Sequence, residues 1–305
     1  MAGARLRVIT GPTASGKSAL AMRIAGAVPL TVISADSRQV YRRFDIGTAK
    51  PPAADRARVP HAGTDLIEPE ERYSAARWAE SAVNWISDAR TGRRAPVIVG
   101  GTGFYLRALT SPLFEEPSLD PDRRTRLLEQ LERLDTTELR RWCSVLDPAR
   151  AGLGRTQLLR AVEIALLTGV PISRLQREAS RPPYARARYL VVDPGSSLSE
   201  WIEQRIDTML AGDWGGEVEA LMHAVPPDAP AWKATGYVAV RDWVSGRITR
   251  EAARTRVMVE TRQYAKRQRT WFRHQLEHDA VTRLDPRSPD AMDVVWKWWN
   301  QSDDA

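Results

Sequence analysis

The chain has 305 residues, 43% of them hydrophobic, which suffices for one large domain or for a main domain carrying a smaller insertion. Its longest apolar runs, such as PVIVGG, fall far short of the ~20 residues of a membrane-spanning helix, and MAGARLRVIT leads straight into a strand-like pattern, so no membrane association and a cytoplasmic location are expected. A single cysteine, Cys143, excludes an internal disulfide and a multi-cysteine zinc site, while the formal charge of +7 calls for a polyanionic partner. That charge is localised: residues 229–284 hold twelve Lys/Arg against five Asp/Glu, a surplus of seven equal to that of the entire chain.

The first third alternates short apolar runs with helical patterns: RLRVIT, a helix from Ser18, LTVIS, a helix beginning near Ser74, and PVIVGG. This alternation predicts an α/β fold with a parallel sheet covered by helices. From Phe114 to Tyr184 the strand signals vanish, and stretches such as RRTRLLEQLERL and RTQLLRAVEIALLTG repeat with helical period. The organisation predicted is a core of residues 1–113 and 185–305 with an all-helical insertion domain at 114–184. A strand returns in RYLVVDP, followed by helices at Leu198–Ala211, Gly236–Ser245 and Thr249–His274, and by a terminal helix in VVWKWWN whose tryptophans should pack onto the body.

Gly11 to Ser18 reads GPTASGKS, the G-x-x-x-x-G-K-[ST] pattern, between a strand and an amphipathic helix as a P-loop requires. Gly11, Pro12, Thr13, Ala14, Ser15 and Gly16 would form a diphosphate-binding loop whose backbone N–H groups, all but that of Pro12, which has none, can close around the phosphates, with Lys17 reaching the outer oxygens and Ser18 ligating Mg²⁺. Lys17 is one of five lysines among forty arginines. The loop does not say whose diphosphate it holds.

A kinase or hydrolase with this loop usually carries an aspartate on a second strand end to organise Mg²⁺ and water. The obvious strand instead ends PVIVGGTGFY, with glycines there, whereas ISADSRQVY puts Asp36 at the carboxyl edge of the sheet, where open α/β sheets bind ligands. Asp36 is then a general base, a turn cap or a metal ligand.

GPTASGKS, ISADSRQVYRRFDIGTAKP, VPH, ERYSAARW, PVIVGGTGFYLRAL, ATGY and KRQRTWFR occur in an order and spacing that resemble the bacterial tRNA dimethylallyltransferases over residues 5–275. The resemblance implies a P-loop NTPase-like core whose loop binds dimethylallyl diphosphate, a helical insertion that grips tRNA, and transfer of the dimethylallyl group to N6 of adenine 37, next to the anticodon, in tRNAs reading codons that begin with U. It implies Mg²⁺ as cofactor and a monomer. It makes Asp36 the base that takes the N6 proton, puts Thr102 near the bridging oxygen of the diphosphate, and has Arg205 neutralise that leaving group together with Lys17.

On the helix Thr249–His274, Arg262, Lys266, Arg269 and Arg273 recur at spacings of four, three and four, with Gln268, Trp271 and Phe272 interleaved, a stripe suited to a phosphate backbone with stacked bases and equally to a solvated face. The resemblance places Lys266, Arg267, Gln268, Arg269, Trp271 and Arg273 on tRNA. It also puts Asp36, Ser37, Arg38, Gln39 and Thr102 around the target adenine, Lys233, Gly236 and Tyr237 on the RNA, and Arg124, Gln157 and Arg160 on the stem. The chain departs from the family pattern at Ala62, at Val238, around Thr156–Gln157 and at Trp201. Competing readings are a prenyltransferase of free adenine nucleotides, which needs neither insertion nor basic helix, a P-loop kinase of a small metabolite, and a non-catalytic RNA-binding protein.

Overall fold

The computed structural model describes residues 5–301 except 112, 115–118 and 179. The chain forms two compact units, one of residues up to 110 and from 184 onward, the other of 111–183.

The first unit is built on β1 (Leu6–Thr10), β2 (Leu30–Ser34), β3 (His61–Ala62) and β4 (Ala95–Val99), to which β7 (Ala187–Val192) and β8 (Val281–Leu284) return from later in the chain. Their order is β3-β2-β4-β1-β7-β8, and every pairing is parallel. The central strands LRVIT, LTVIS and ARYLVV are apolar without alternation because helices cover both faces of the sheet. β3 and β8 carry no readable strand signal, being two and four residues long at the sheet's edges.

Between the strands run α1 (Lys17–Ala25), α2 (Ala53–Arg58), α3 (Ala75–Thr91) and α4 (Gly103–Thr110). Ser74 caps α3 by accepting the Arg77 N–H. In the second unit, β5 (Leu113–Phe114) pairs antiparallel with β6 (Ser180–Arg181), a two-residue ladder where the sequence predicts only helices. The rest is helical: α5 (Pro121–Leu131), α6 (Thr136–Leu146), α7 (Arg155–Thr168) and α8 (Ile172–Glu178) share a core of Leu131, Leu139, Cys143, Leu158, Val162 and Ile172. Asp120 and Asp135 cap α5 and α6, the latter in a capping box with Glu138.

The first unit closes with α9 (Leu198–Ala211), α10 (Trp214–Ala224), α11 (Tyr237–Val244), the long α12 (Arg250–Gln275), capped by Thr249, and α13 (Ala291–Trp299). As the sequence predicts, α13 seats Trp298 and Trp299 in the core beneath β1 and α1, and Arg7 lies 4.5 Å over the Trp299 ring. None of the described helices is long and apolar enough to cross a membrane.

Candidate active site

Because β1 lies between β4 and β7, the loops leaving these three strands meet around GPTASGKS. Gly11, at φ +147°, leaves β1 so close to β7 that a Cβ would stand 2.1 Å from the Val192 carbonyl oxygen, and Gly16 enters α1 at φ +87°. Both positions require glycine. The loop lines an open cavity of about 280 Å³ with Asp36, Gly100, Gly101 and Arg205. The buried Ser15 hydroxyl has no partner among the described residues, an orphan that a diphosphate oxygen would satisfy.

Lys17 Nζ donates to the Pro12 carbonyl at 2.6 Å. Loss of water around the ammonium, reinforced by the Arg205 guanidinium, pushes its pKa down to about 7, against the pull of Asp36 and Asp193. Arg205, on α9, is also pushed down, by burial, and again Asp36 opposes the shift. Two cations that destabilise each other across one cavity are poised to receive an anion.

Asp36 follows β2. Its Oδ1 accepts the Arg38 N–H at 2.8 Å, while its second oxygen has no donor among the described residues. Beside it, Thr102 Oγ1 accepts the Ser37 N–H at 3.0 Å and the Thr102 N–H donates to Ala35, so the ends of β2 and β4 are stitched together. Thr102 directly precedes α4, and its hydroxyl faces this stitch rather than capping the helix. Asp36, Arg205, Thr13 and Ala14 also border a smaller cavity of about 70 Å³ whose far wall is Ile202, Ile206, Met209, Trp214 and Val257. A cationic, amide-lined chamber thus opens onto an apolar one, with Asp36 on the wall they share.

Several residues expected on RNA also make hydrogen bonds within the protein. Gln268 is buried, its amide spent on Thr13 and Gly101. Gln39 accepts from the Ser34 hydroxyl and donates to the carbonyls of Thr48 and Ala49, bracing the 48–49 backbone. Tyr237 is fully buried, donating to Glu217 at 2.7 Å and accepting the Gly47 N–H, while Gly236 donates to Glu260. In the second unit Arg124 and Arg160 both hold the buried Glu163, and Gln157 accepts the Gly154 N–H at the start of its own helix. The stripe on α12 is likewise not one solvated face. Arg262 pairs with Glu203 and Arg269 with Asp193, whereas Lys266 and Arg273 have no acidic partner among the described residues. Lys233, Lys266, Arg267 and Arg273 are exposed, and Trp271 lies half-buried against Gly103.

Three residues of the site are not singled out by the sequence reading. Tyr264, one turn before Gln268 on α12, borders both cavities and bonds towards Thr102; burial and the nearby Asp36 push its phenol up to about 12. Asp193 ends β7 in the pattern VVDP, an apolar strand closed by a carboxylate beside the P-loop. Arg283, on the edge strand β8, shares a cavity of about 180 Å³ with Arg269 and Arg273.

Residues 39–275 match the family model described as IPP transferase, and residues 4–59 match that described as isopentenyl transferase. The chain is 35% identical to the tRNA dimethylallyltransferase of Acaryochloris marina over 96% of both chains, and 39% identical to that of Acidithiobacillus ferrooxidans over 94% of this chain and 92% of the other. Among solved structures it resembles the tRNA isopentenylpyrophosphate transferase of Staphylococcus epidermidis, at TM-score 0.67 and 30% identity over 98% of this chain and 99% of that one. A eukaryotic dimethylallyltransferase acting on tRNA matches at TM-score 0.77 and 26% identity, over 92% of this chain and 74% of that one. The P-loop without a catalytic carboxylate on β4, the Asp36 wall and these similarities agree: the chain belongs to the tRNA dimethylallyltransferase family of prenyltransferases.

Proposed function

We propose that the protein transfers the dimethylallyl group of dimethylallyl diphosphate to N6 of the adenine next to the anticodon of tRNA, releasing diphosphate. The observation that carries this reading is the pair of cavities meeting at Asp36 and Arg205: a diphosphate fits the polar one, a five-carbon prenyl tail the apolar one, and the bond between them lies at the shared wall.

In this arrangement the P-loop amides, Lys17 and Arg205 take up the charge that develops on the diphosphate as its oxygen leaves C1. The N6 lone pair forms the new bond to C1, and the N6 proton passes to the free oxygen of Asp36, general-base help typically worth ~10²–10⁴ in rate. Thr102 accepts the Ser37 N–H and donates only a long bond, 3.4 Å, to the Ser37 hydroxyl, a hydrogen it would turn to the bridging oxygen once the donor is bound. Bound Mg²⁺ supplies further neutralisation of the diphosphate. The Ser18 hydroxyl is its proposed protein ligand, consistent with an ion that takes most of its oxygens from phosphates and water. An N6 stacked in an anticodon loop is out of reach, so the adenine is extruded towards Asp36. Lys233, Lys266, Arg267 and Arg273 supply exposed positive charge for the RNA backbone. The protein acts as a cytoplasmic monomer in this reading.

The test is incubation with labelled dimethylallyl diphosphate and Mg²⁺, offering unmodified tRNA in one reaction and AMP in another. Label in tRNA alone is expected. Label in AMP alone replaces the substrate class by free nucleotides, and label in neither removes the prenyltransferase reading.

A further inference from the structure

α12 presents two faces to two tasks. Lys266, Arg267 and Arg273 look outward, while Ala265, Gln268 and Phe272 are buried. Gln268 is 6% exposed in the middle of a stripe otherwise rich in arginine, and its amide is fully directed. Oε1 accepts the Thr13 N–H at 2.7 Å and Nε2 donates to the Gly101 carbonyl at 2.8 Å. The orientation is unambiguous, because one partner offers only a proton and the other only a lone pair.

These two bonds reach different loops. Thr13 belongs to the loop after β1 and Gly101 to the loop after β4; the neighbouring strands stay bonded as far as Gly100, which donates to the Ile9 carbonyl and accepts from the Thr10 hydroxyl, and Gln268 joins the two loops beyond that point. A second observation points the same way: a Cβ on Gly101 would stand 2.1 Å from Gln268 Nε2, and one on Gly103 would stand 2.4 Å from the Trp271 ring. Two glycines of the GGTG segment therefore leave room for α12 side chains.

We infer that Gln268 is a positioning residue of the diphosphate cradle, a side-chain bridge that sets the spacing between the amino-terminal limb of the P-loop and the Gly100–Gly101 turn. It also removes the Thr13 N–H from the donors open to the diphosphate and leaves that charge to later amides of the loop and to Lys17. The helix carrying outward cations for RNA thus fixes, on its inner face, the site of the prenyl donor. The inference rests on the proposed function in taking the P-loop as the donor site.

The experiment measures binding of dimethylallyl diphosphate with Mg²⁺, without tRNA, to the full chain and to Gln268→Met, Gly101→Ala, Lys17→Ala and Arg273→Ala. tRNA binding and thermal melting are followed in parallel. Met keeps the length of Gln and makes neither bond, leaving the Thr13 N–H and the Gly101 carbonyl unsatisfied; Gly101→Ala displaces the amide from the opposite side. Both should weaken donor binding on the order of tenfold with tRNA affinity and fold retained, while Arg273→Ala should do the reverse. Weakened tRNA binding with wild-type donor affinity in Gln268→Met would assign the residue to RNA and overturn the inference. Failure of both Gln268→Met and Gly101→Ala to fold would overturn it too, showing a general packing role. If Lys17→Ala weakens the donor and Gln268→Met does not, this inference alone falls; if neither does, the P-loop reading falls with it.

Discussion

Arg269 closes on Asp193 through two guanidinium nitrogens, Nε to Oδ2 at 2.8 Å and Nη2 to Oδ1 at 2.5 Å, and its Nη2 also reaches the Gly195 carbonyl. Both acceptor oxygens of a carboxylate beside the P-loop are thereby taken by a cation from α12. Arg269 is about a third exposed, so the pair should contribute only about 1 kcal/mol to stability. Its removal nevertheless leaves the Asp193 charge unneutralised near Lys17 and the incoming diphosphate. Arg269→Ala is therefore expected to raise KM for dimethylallyl diphosphate several-fold, with a urea midpoint only slightly lowered. A variant that loses tRNA affinity alone would return Arg269 to the RNA surface.

Asp36→Asn retains the bond from the Arg38 N–H, since the amide oxygen accepts as the carboxylate oxygen did, but it offers no site for the N6 proton. Donor and tRNA affinities should persist while the single-turnover rate falls by ~10²–10⁴. A near-wild-type rate in rapid-quench measurements would remove Asp36 from the base role and leave it a turn residue.

Lys17 should make donor binding sensitive to pH. Its pKa stands at about 7 because burial and Arg205 disfavour the ammonium, with Asp36 and Asp193 opposing them. A bound diphosphate favours the ammonium and raises that pKa. Above pH ~7 the free protein must then gain a proton to bind, so affinity is full below 7 and declines as pH rises through it, by up to about tenfold per unit. Calorimetry in buffers of different ionisation enthalpy should show proton uptake near pH 8. Lys17→Arg, which does not titrate, should bind more weakly but without this slope, and an equal slope in both proteins would place the titration elsewhere.

Much of this site is legible in the sequence because the residues that cradle a phosphate are contiguous: GPTASGKS between an apolar strand and an amphipathic helix names its own geometry. Asp36 follows from its place at the end of LTVIS. What escapes depends on three-dimensional pairing of residues far apart in the chain. Nothing local distinguishes Gln268 from the exposed Arg267 before it, and the distinction arises only where α12 crosses the Gly101 turn, 167 positions away. Tyr237 reads as part of an RNA-facing ATGY until Glu217 and Gly47 close around its hydroxyl. The edge strands β3 and β8 are invisible for another reason. Two or four residues bury too little on one side of a sheet to impose an apolar pattern, so VTRL reads as part of a basic segment although it pairs in register with Tyr189–Val192.

The exposed cations of α12 allow a cleaner test of RNA binding than the whole stripe. Joint replacement of Lys266, Arg267 and Arg273 by alanine spares Arg269, which is paired with Asp193, and Gln268, which is buried against the P-loop. The triple variant should bind dimethylallyl diphosphate as the parent does and bind tRNA more weakly. Its logarithmic salt dependence should be flatter by up to ~2 units on a single strand and just under ~3 on a duplex, since every phosphate left without its cation takes about 0.7 off the slope in the first case and about 0.9 in the second. The slope separates two mechanisms that lower affinity alike. Cations that touch phosphates release counterions on binding, so their removal flattens the line, whereas a rearranged helix that merely misplaces neighbouring groups lowers the line without removing charge from the interface. Unchanged affinity and slope in a salt series would make these three side chains a solvated face, and RNA recognition would then rest on Lys233 and the helical insertion.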